Sequence, residues 1–304
     1  MALKVSDIGE KELINYILSK SKDIFLDDTA VTEFSDTNLI STCDMLIESK
    51  HFPDEMSYFQ MGFKAVTVNV SDLAAMGANP LGFLLSIALP KDLEFNHFKE
   101  IINGVINACD YYKIPFIGGD TNEASEIIIS GTALGLCDKP LMKKSAELGD
   151  LICLTGDVGL AALGFNLSGD NIYTEKALKP LARIDEGIII KKAGATSATD
   201  ITDGLASELY EMKPNSLGFM IYEDKLEISD EYKEISSQLG LNYLDLILHV
   251  GEDFELVFTI DKDNDLDIEY TVIGEVNDTD KIQITLSSDE VCEIENRGYN
   301  HYVS

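Results

Sequence analysis

The sequence predicts an α/β chain, with α+β layers built from mixed sheets and flanking helices in two domains. Three observations carry this. At 304 residues the chain exceeds what a single hydrophobic core usually serves. Apolar runs of strand length and of helix length occur in both halves. A polar stretch at 138–150 interrupts them and places a boundary between residues 1–138 and 139–304.

The elements follow in order. Residues 10–20 read as a helix, and 28–31 and 38–43 as apolar runs. Val66, Val68 and Val70 alternate with Thr67 and Asn69, which is the period of a strand. Ser71 then reads as the cap of a short helix ending at Gly77, and 82–89 as a buried strand. Phe98, Ile101, Ile102, Val105, Ile106 and Cys109 recur at helical spacing, which predicts a helix over 95–111. Strands are expected at 114–117 and 127–136, on either side of a Gly118-Gly119-Asp120 turn. In the second half, strands are expected at 151–155, 218–222, 255–260 and 272–276, and helices at 160–167, from 184, and at 204–212.

Composition excludes several classes. A net charge of −31 opposes neutralisation of a nucleic-acid backbone, so no nucleic-acid partner is expected. Residues 73–90 carry no charge, but Gly77, Asn79, Pro80 and Gly82 interrupt them, so no membrane span is expected. Five cysteines without C-x-x-C spacing and four scattered histidines frame neither a zinc site nor a disulfide set. A reducing cytoplasm fits, and the first residues lack the apolar core of a signal peptide. Arg183 and Arg297 are the only arginines, so phosphate chemistry would rest on metals, lysines and backbone amides.

The chemistry lies in five acidic islands, each where an apolar run meets a turn: Asp27-Asp28, Asp44, Asp72, Asp120, and Asp200 with Asp203. Taken singly, each reads as a turn or helix cap, where Asp is common. Acids at element ends can converge, and converging carboxylates need cations to coexist. An all-oxygen ligand set favours Mg²⁺, which commonly serves substrate phosphates. The reaction class this implies is phosphoryl transfer.

The order and spacing of the islands resemble a known family. The matching segments are Leu26-Asp27-Asp28-Thr29-Ala30, Asp44 through His51-Phe52, Lys64 through Asn69-Val70-Ser71-Asp72-Leu73-Ala74-Ala75-Met76-Gly77, and Gly118-Gly119-Asp120-Thr121. They continue with Lys179-Pro180-Leu181-Ala182-Arg183, Asp200 through Leu205, Gly251-Glu252-Asp253-Phe254-Glu255-Leu256, and Gly298-Tyr299-Asn300-His301-Tyr302. The chain is similar over its length to the thiamine-monophosphate kinases, members of the superfamily typified by aminoimidazole ribonucleotide synthetase. That resemblance implies a two-domain fold, a homodimer, and ATP-dependent phosphorylation of thiamine monophosphate to thiamine diphosphate by direct transfer. It implies several Mg²⁺ ions held by Asp28, Thr42, Cys43, Asp44, Asp72, Asp120, Asp200 and Asp203, with Asp72, Asp120 and Asp203 central to catalysis. Tyr112, Gly119, Asp120, Lys143 and Thr202 would bind ATP. His51, Glu252 and Tyr299 would bind the thiamine substrate. Leu26, Lys143, Thr202 and Lys179 stand where the family usually has Gly, Arg, Ser and Arg. A non-catalytic nucleotide-binding or metal-binding protein on the same fold, or another ATP-using member of the superfamily, is the alternative.

Overall fold

The computed structural model describes residues 4–20, 24 and 26–298. Helix α1 (Glu10–Leu18) precedes strands β1 (Ala30–Phe34) and β2 (Thr37–Ile47). The short α2 (Glu48–His51), the long α3 (Tyr58–Ala75), β3 (Asn79–Leu89), α4 (Phe95–Tyr111), β4 (Phe116–Glu123) and β5 (Ile128–Cys137) complete the first half. The second half runs β6 (Leu151–Leu154), α5 (Leu160–Gly164), α6 (Ile172–Leu178), α7 (Ile184–Lys192), β7 (Ser197–Asp200) and α8 (Leu205–Met212). It ends with β8 (Gly218–Tyr222), α9 (Asp230–Gln238), α10 (Tyr243–His249), β9 (Leu256–Ile260), β10 (Thr271–Asn277), β11 (Ile282–Thr285) and β12 (Val291–Glu293).

Each half builds its own mixed sheet. The first is five-stranded in the order β1-β2-β5-β3-β4, and the second is seven-stranded in the order β12-β11-β8-β10-β6-β9-β7. Among the described residues only β3/β4 and β8/β11 pair in parallel. One hydrophobic core joins the two halves. Val66, Val70 and Ile101 of the first pack with Ile190, Ala198 and Phe258 of the second. A second core lies wholly within the later half, around Leu209, Phe219 and Ile273. Among the described residues no helix is long and apolar enough to cross a membrane.

The structure corrects the reading of residues 66–77. Residues 66–70 are not a strand, and Ser71 does not begin a helix: both lie inside α3, which Ser57 caps through Gln60. A helix normally shows a 3.6-residue apolar stripe because one side meets water. Here nearly every residue from Met61 to Ala75 is buried, so no stripe exists and the Val-Thr-Val-Asn-Val alternation has nothing to compete with it. The polar residues in that run are satisfied locally. Thr67 Oγ1 donates to the Phe63 carbonyl at 3.3 Å, and Asn69 Nδ2 to the Ala65 carbonyl at 3.0 Å.

A second correction concerns Gly118-Gly119-Asp120, which form no turn. They lie within edge strand β4, beside β3. A Cβ on Gly119 would sit 1.7 Å from the Leu85 carbonyl oxygen, so the strands approach only because it has none.

Close backbone approach also sets the helices around α3. A Cβ on Gly62 would lie 1.9 Å from the Ile101 carbonyl oxygen of α4, and one on Gly187 of α7 would lie 2.1 Å from the Ala74 carbonyl oxygen. α3 is thereby clamped from both halves of the chain. Gly62→Ala is expected to cost about 1–3 kcal/mol, the usual range for overpacking, lowering the urea midpoint without changing the slope.

Candidate active site

A cavity of about 1470 Å³ opens where α3, β2, the segment before β1, and the loops after β7 and before β9 converge. α3 presents Lys64, Val68 and Asp72 to it. They are four residues apart and so lie on one face of the helix. β2 contributes Thr42 and Asp44, which share a face of the strand. The Cys43 side chain alternates to the opposite face, where its Sγ meets Ser130 Oγ at 3.5 Å, and the residue still lines the cavity.

Carboxylates dominate one end. Single oxygens of Asp28, Asp72 and Asp200 all lie within 4.8 Å of one another. Asp28 Oδ2 and Asp200 Oδ2 are buried without a hydrogen-bond partner among the described residues. Thr42 Oγ1 donates to Asp72, Thr199 Oγ1 to Asp28 at 3.0 Å, and the Asp44 backbone N–H to Asn69 Oδ1 at 3.1 Å.

Burial and mutual repulsion push these carboxyls upward. Burial raises Asp28 to about 7, with Lys143 opposing and Asp200 reinforcing the shift. Burial and Asp200 raise Asp44 to about 6. Burial, then Asp200, Asp44 and Asp28, raise Asp72 well above the carboxylate range. Burial raises Asp200 as well, and burial with Glu211 raises Asp203 to about 6. Carboxylates this close, with unpartnered buried oxygens and no thiolate or imidazole among them, suit a hard divalent cation.

Asp203 and Thr202 owe their positions to Glu208, a buried acid in the first turn of α8. Its Oε1 accepts the backbone N–H groups of Thr202 at 3.3 Å and Asp203 at 3.1 Å. From the other side, a Cβ on Gly251 would lie 1.7 Å from the Thr202 carbonyl oxygen, so the two loops touch backbone to backbone. Glu252 follows, held at φ +74° with its N–H donating to that same carbonyl at 2.9 Å.

The cavity therefore gathers Asp28, Thr42, Cys43, Asp44, His51, Asp72, Asp200, Thr202, Asp203 and Glu252. His51 Nδ1 accepts from the Ile47 N–H at 2.9 Å, which directs the ring locally. Lys143 stands beside the cluster, its ammonium 2.6 Å from Asp28 and 2.5 Å from Glu211. Tyr112 does not line the cavity. Its hydroxyl is buried 3.0 Å from Thr67 Oγ1 and accepts the Ala182 N–H at 3.0 Å. Gly119 and Asp120 are also apart. The register runs Asp44–Gly131–Leu85–Gly119 across β2, β5, β3 and β4, which sets them roughly 14 Å from Asp44. Tyr299 lies outside the described residues.

Both arginines are committed within the chain. Arg183 forks onto the buried Glu255 at 2.6 and 2.7 Å, and Arg297 pairs with Asp245 at 2.9 Å. Sequence reasoning passed over Lys64, Asn69 and Glu208. Reading residues 64–72 as helix would have aligned Lys64 with Asp72 at i and i+8, but the strand-like alternation hid that spacing.

Comparison with known proteins identifies the family. The profile of the AIR synthase related protein N-terminal domain matches residues 26–137, and that of the C-terminal domain matches residues 147–287. A thiamine-monophosphate kinase of Pyrococcus abyssi is 38% identical over 98% of this chain and 97% of its own. That of Pyrococcus horikoshii is 37% identical over 92% of each. A solved structure described as AaThiL complexed with AMPPCP and TMP superposes with a TM-score of 0.89, at 30% identity over 99% of both chains. With both family profiles matched and identity at this level over nearly the whole length, the chain belongs to the thiamine-monophosphate kinase family of AIR synthase related proteins.

Proposed function

We propose that this protein transfers the γ-phosphoryl group of ATP directly to the phosphate of thiamine monophosphate, releasing thiamine diphosphate and ADP. The observation that carries the reading is the triad Asp28, Asp72 and Asp200, within 4.8 Å and with two buried oxygens unpartnered. Bound Mg²⁺ ions would neutralise the oxygens of donor and acceptor phosphates so that the two can approach in line. The triad would hold them with Asp44, Asp203, the Thr42 hydroxyl and the Cys43 carbonyl. Thr202 and Lys143 stand on the ATP side in this reading, with Tyr112 backing that region. His51, Glu252 and Tyr299 serve the thiamine end. No side chain is placed as a nucleophile, in keeping with transfer that proceeds without a covalent enzyme intermediate.

Asp120 and Gly119 enter this reading through a homodimer. β4 is exposed along its whole length at the edge of the first sheet, and a second copy packed there would carry these residues toward a neighbouring site. We assign residues 1–138 to nucleotide binding, metal binding and dimerisation, and 139–304 to completion of the site, in a cytoplasmic enzyme.

Incubation with ATP, Mg²⁺ and thiamine monophosphate, followed by phosphorus NMR, is expected to show thiamine diphosphate and ADP in equal amounts. Inorganic phosphate beside intact thiamine monophosphate would overturn the acceptor assignment, and no ATP consumption would leave a binding protein. Asp72→Asn should lower kcat by roughly 10²- to 10³-fold, the scale of losing one group that stabilises transition-state charge, with the fold retained by circular dichroism. Asp44 supplies a test of metal binding. Its folded value of about 6 exceeds the ordinary 3.8, so the wild type loses stability as pH rises from about 4 through about 6. In EDTA, the Tm of Asp44→Asn should therefore gain on the wild type across that window and hold its lead above it. Millimolar Mg²⁺ at pH 8 should reverse the order, because the wild type then binds the cation more tightly.

A further inference from the structure

The thiamine end of the cavity contains a cation with no assigned role. Lys64 sits in the middle of α3 with its side chain 1% exposed, yet it forms part of the cavity wall. Its ammonium has three N–H donors. One goes to the His51 carbonyl oxygen at 2.9 Å and one to the Glu252 carboxylate. No partner for the third lies among the described residues.

These two partners are the residues assigned above to the thiamine substrate, and they come from opposite halves of the chain. Glu252 has little else to hold its carboxylate: its side chain is 29% exposed toward the cavity, and its backbone occupies a left-handed conformation. Its peptide N–H is fixed to Thr202, the neighbour of Asp203. The ammonium therefore ties the end of α2, the middle of α3 and the loop before β9 into one arrangement.

We propose that Lys64 is a positioning residue for the phosphoryl acceptor, locking the Glu252 carboxylate and the His51 loop into the shape that receives the cationic thiamine ring system. The identity of the acceptor rests on the kinase reading. Lys64 and Asp72 are eight residues apart on one helix face, a separation of about 12 Å along the axis. One rigid helix thus sets the distance between the carboxylates that surround the phosphates and the carboxylate that faces the ring. An acceptor with a phosphate at one end and a positively charged heterocycle at the other matches both ends of this helix face. Glu252 supplies the opposite charge, and Lys64 keeps it from turning into solvent.

A merely structural tie between the halves would weaken every ligand alike, and the test separates the two. Calorimetry would measure thiamine monophosphate binding and, separately, binding of the non-hydrolysable nucleotide AMPPCP with Mg²⁺, for the wild type, Lys64→Met, Glu252→Gln and the double variant. Lys64→Met is expected to weaken thiamine monophosphate by roughly 10- to 100-fold, the range for a lost orienting partner, and to leave nucleotide affinity within about twofold. The double variant should lose less than the sum of the two single losses, because part of what Lys64 does passes through Glu252. Steady-state KM for thiamine monophosphate should rise with kcat largely retained, and Lys64→Arg should recover part of the loss. If Lys64→Met does not fold, Lys64→Gln, which keeps a donor, supplies the same comparison. Unchanged thiamine monophosphate affinity, equal loss of both ligands, or additive losses in the double variant would overturn the proposal. Wild-type protein that binds thiamine monophosphate without forming thiamine diphosphate would overturn the kinase reading alone, and the titrations would still decide Lys64. Wild-type protein that does not bind it would overturn both.

Discussion

Helix α3 runs through the interior with Lys64, Thr67, Asn69 and Asp72 along its length, and polar groups so placed must find partners inside the protein. Much of the architecture answers that constraint. Thr67 and Asn69 bond back to the preceding turn, and Asn69 also fixes β2 through the Asp44 N–H. Lys64 reaches α2 and the loop before β9, and Asp72 takes the Thr42 hydroxyl. Glycines at 62 and 187 let α4 and α7 press against the helix from both halves. The element that centres the shared core is therefore the element that aims the site.

The carboxylate end carries an electrostatic cost when nothing is bound. Burial removes the water that would solvate Asp28, Asp72 and Asp200, and the charge of Asp200 further opposes ionisation of the other two. A protein selected only for stability would gain by replacing them with apolar groups. Under the function proposed above, a cation entering between them would offset that cost. Lys143 partly fills that role in the free chain by pairing with Asp28.

The scarcity of arginine has a matching explanation. Arg183 is spent on Glu255, which also takes Lys176 at 2.8 Å and the Thr155 hydroxyl at 2.8 Å, binding the Lys-Pro-Leu-Ala-Arg segment to the strand that follows Glu252. Arg297 is occupied by Asp245 at the cavity rim. Both forks are thus engaged within the chain, and the reading proposed above meets anionic substrates with metal ions, lysines and backbone amides.

The expectation that each acid ends an apolar run fails for Asp44, Asp72 and Asp120, which lie inside β2, α3 and β4. The sequence by itself determined the acidic inventory, the scarcity of arginine beside it, and the helix over 95–111. Those features are local, so composition and spacing reveal them. Only the tertiary structure decided that residues 66–70 belong to a helix, because a segment buried on all sides loses the periodicity that distinguishes helix from strand. It alone set Asp28, Asp72 and Asp200 together while leaving Asp120 three strands away, since strand order is fixed by pairing between distant segments and leaves no mark on spacing. Lys64 was legible for neither reason: its meaning lies in Glu252, 188 residues further along, and only packing of the two halves brings them into contact.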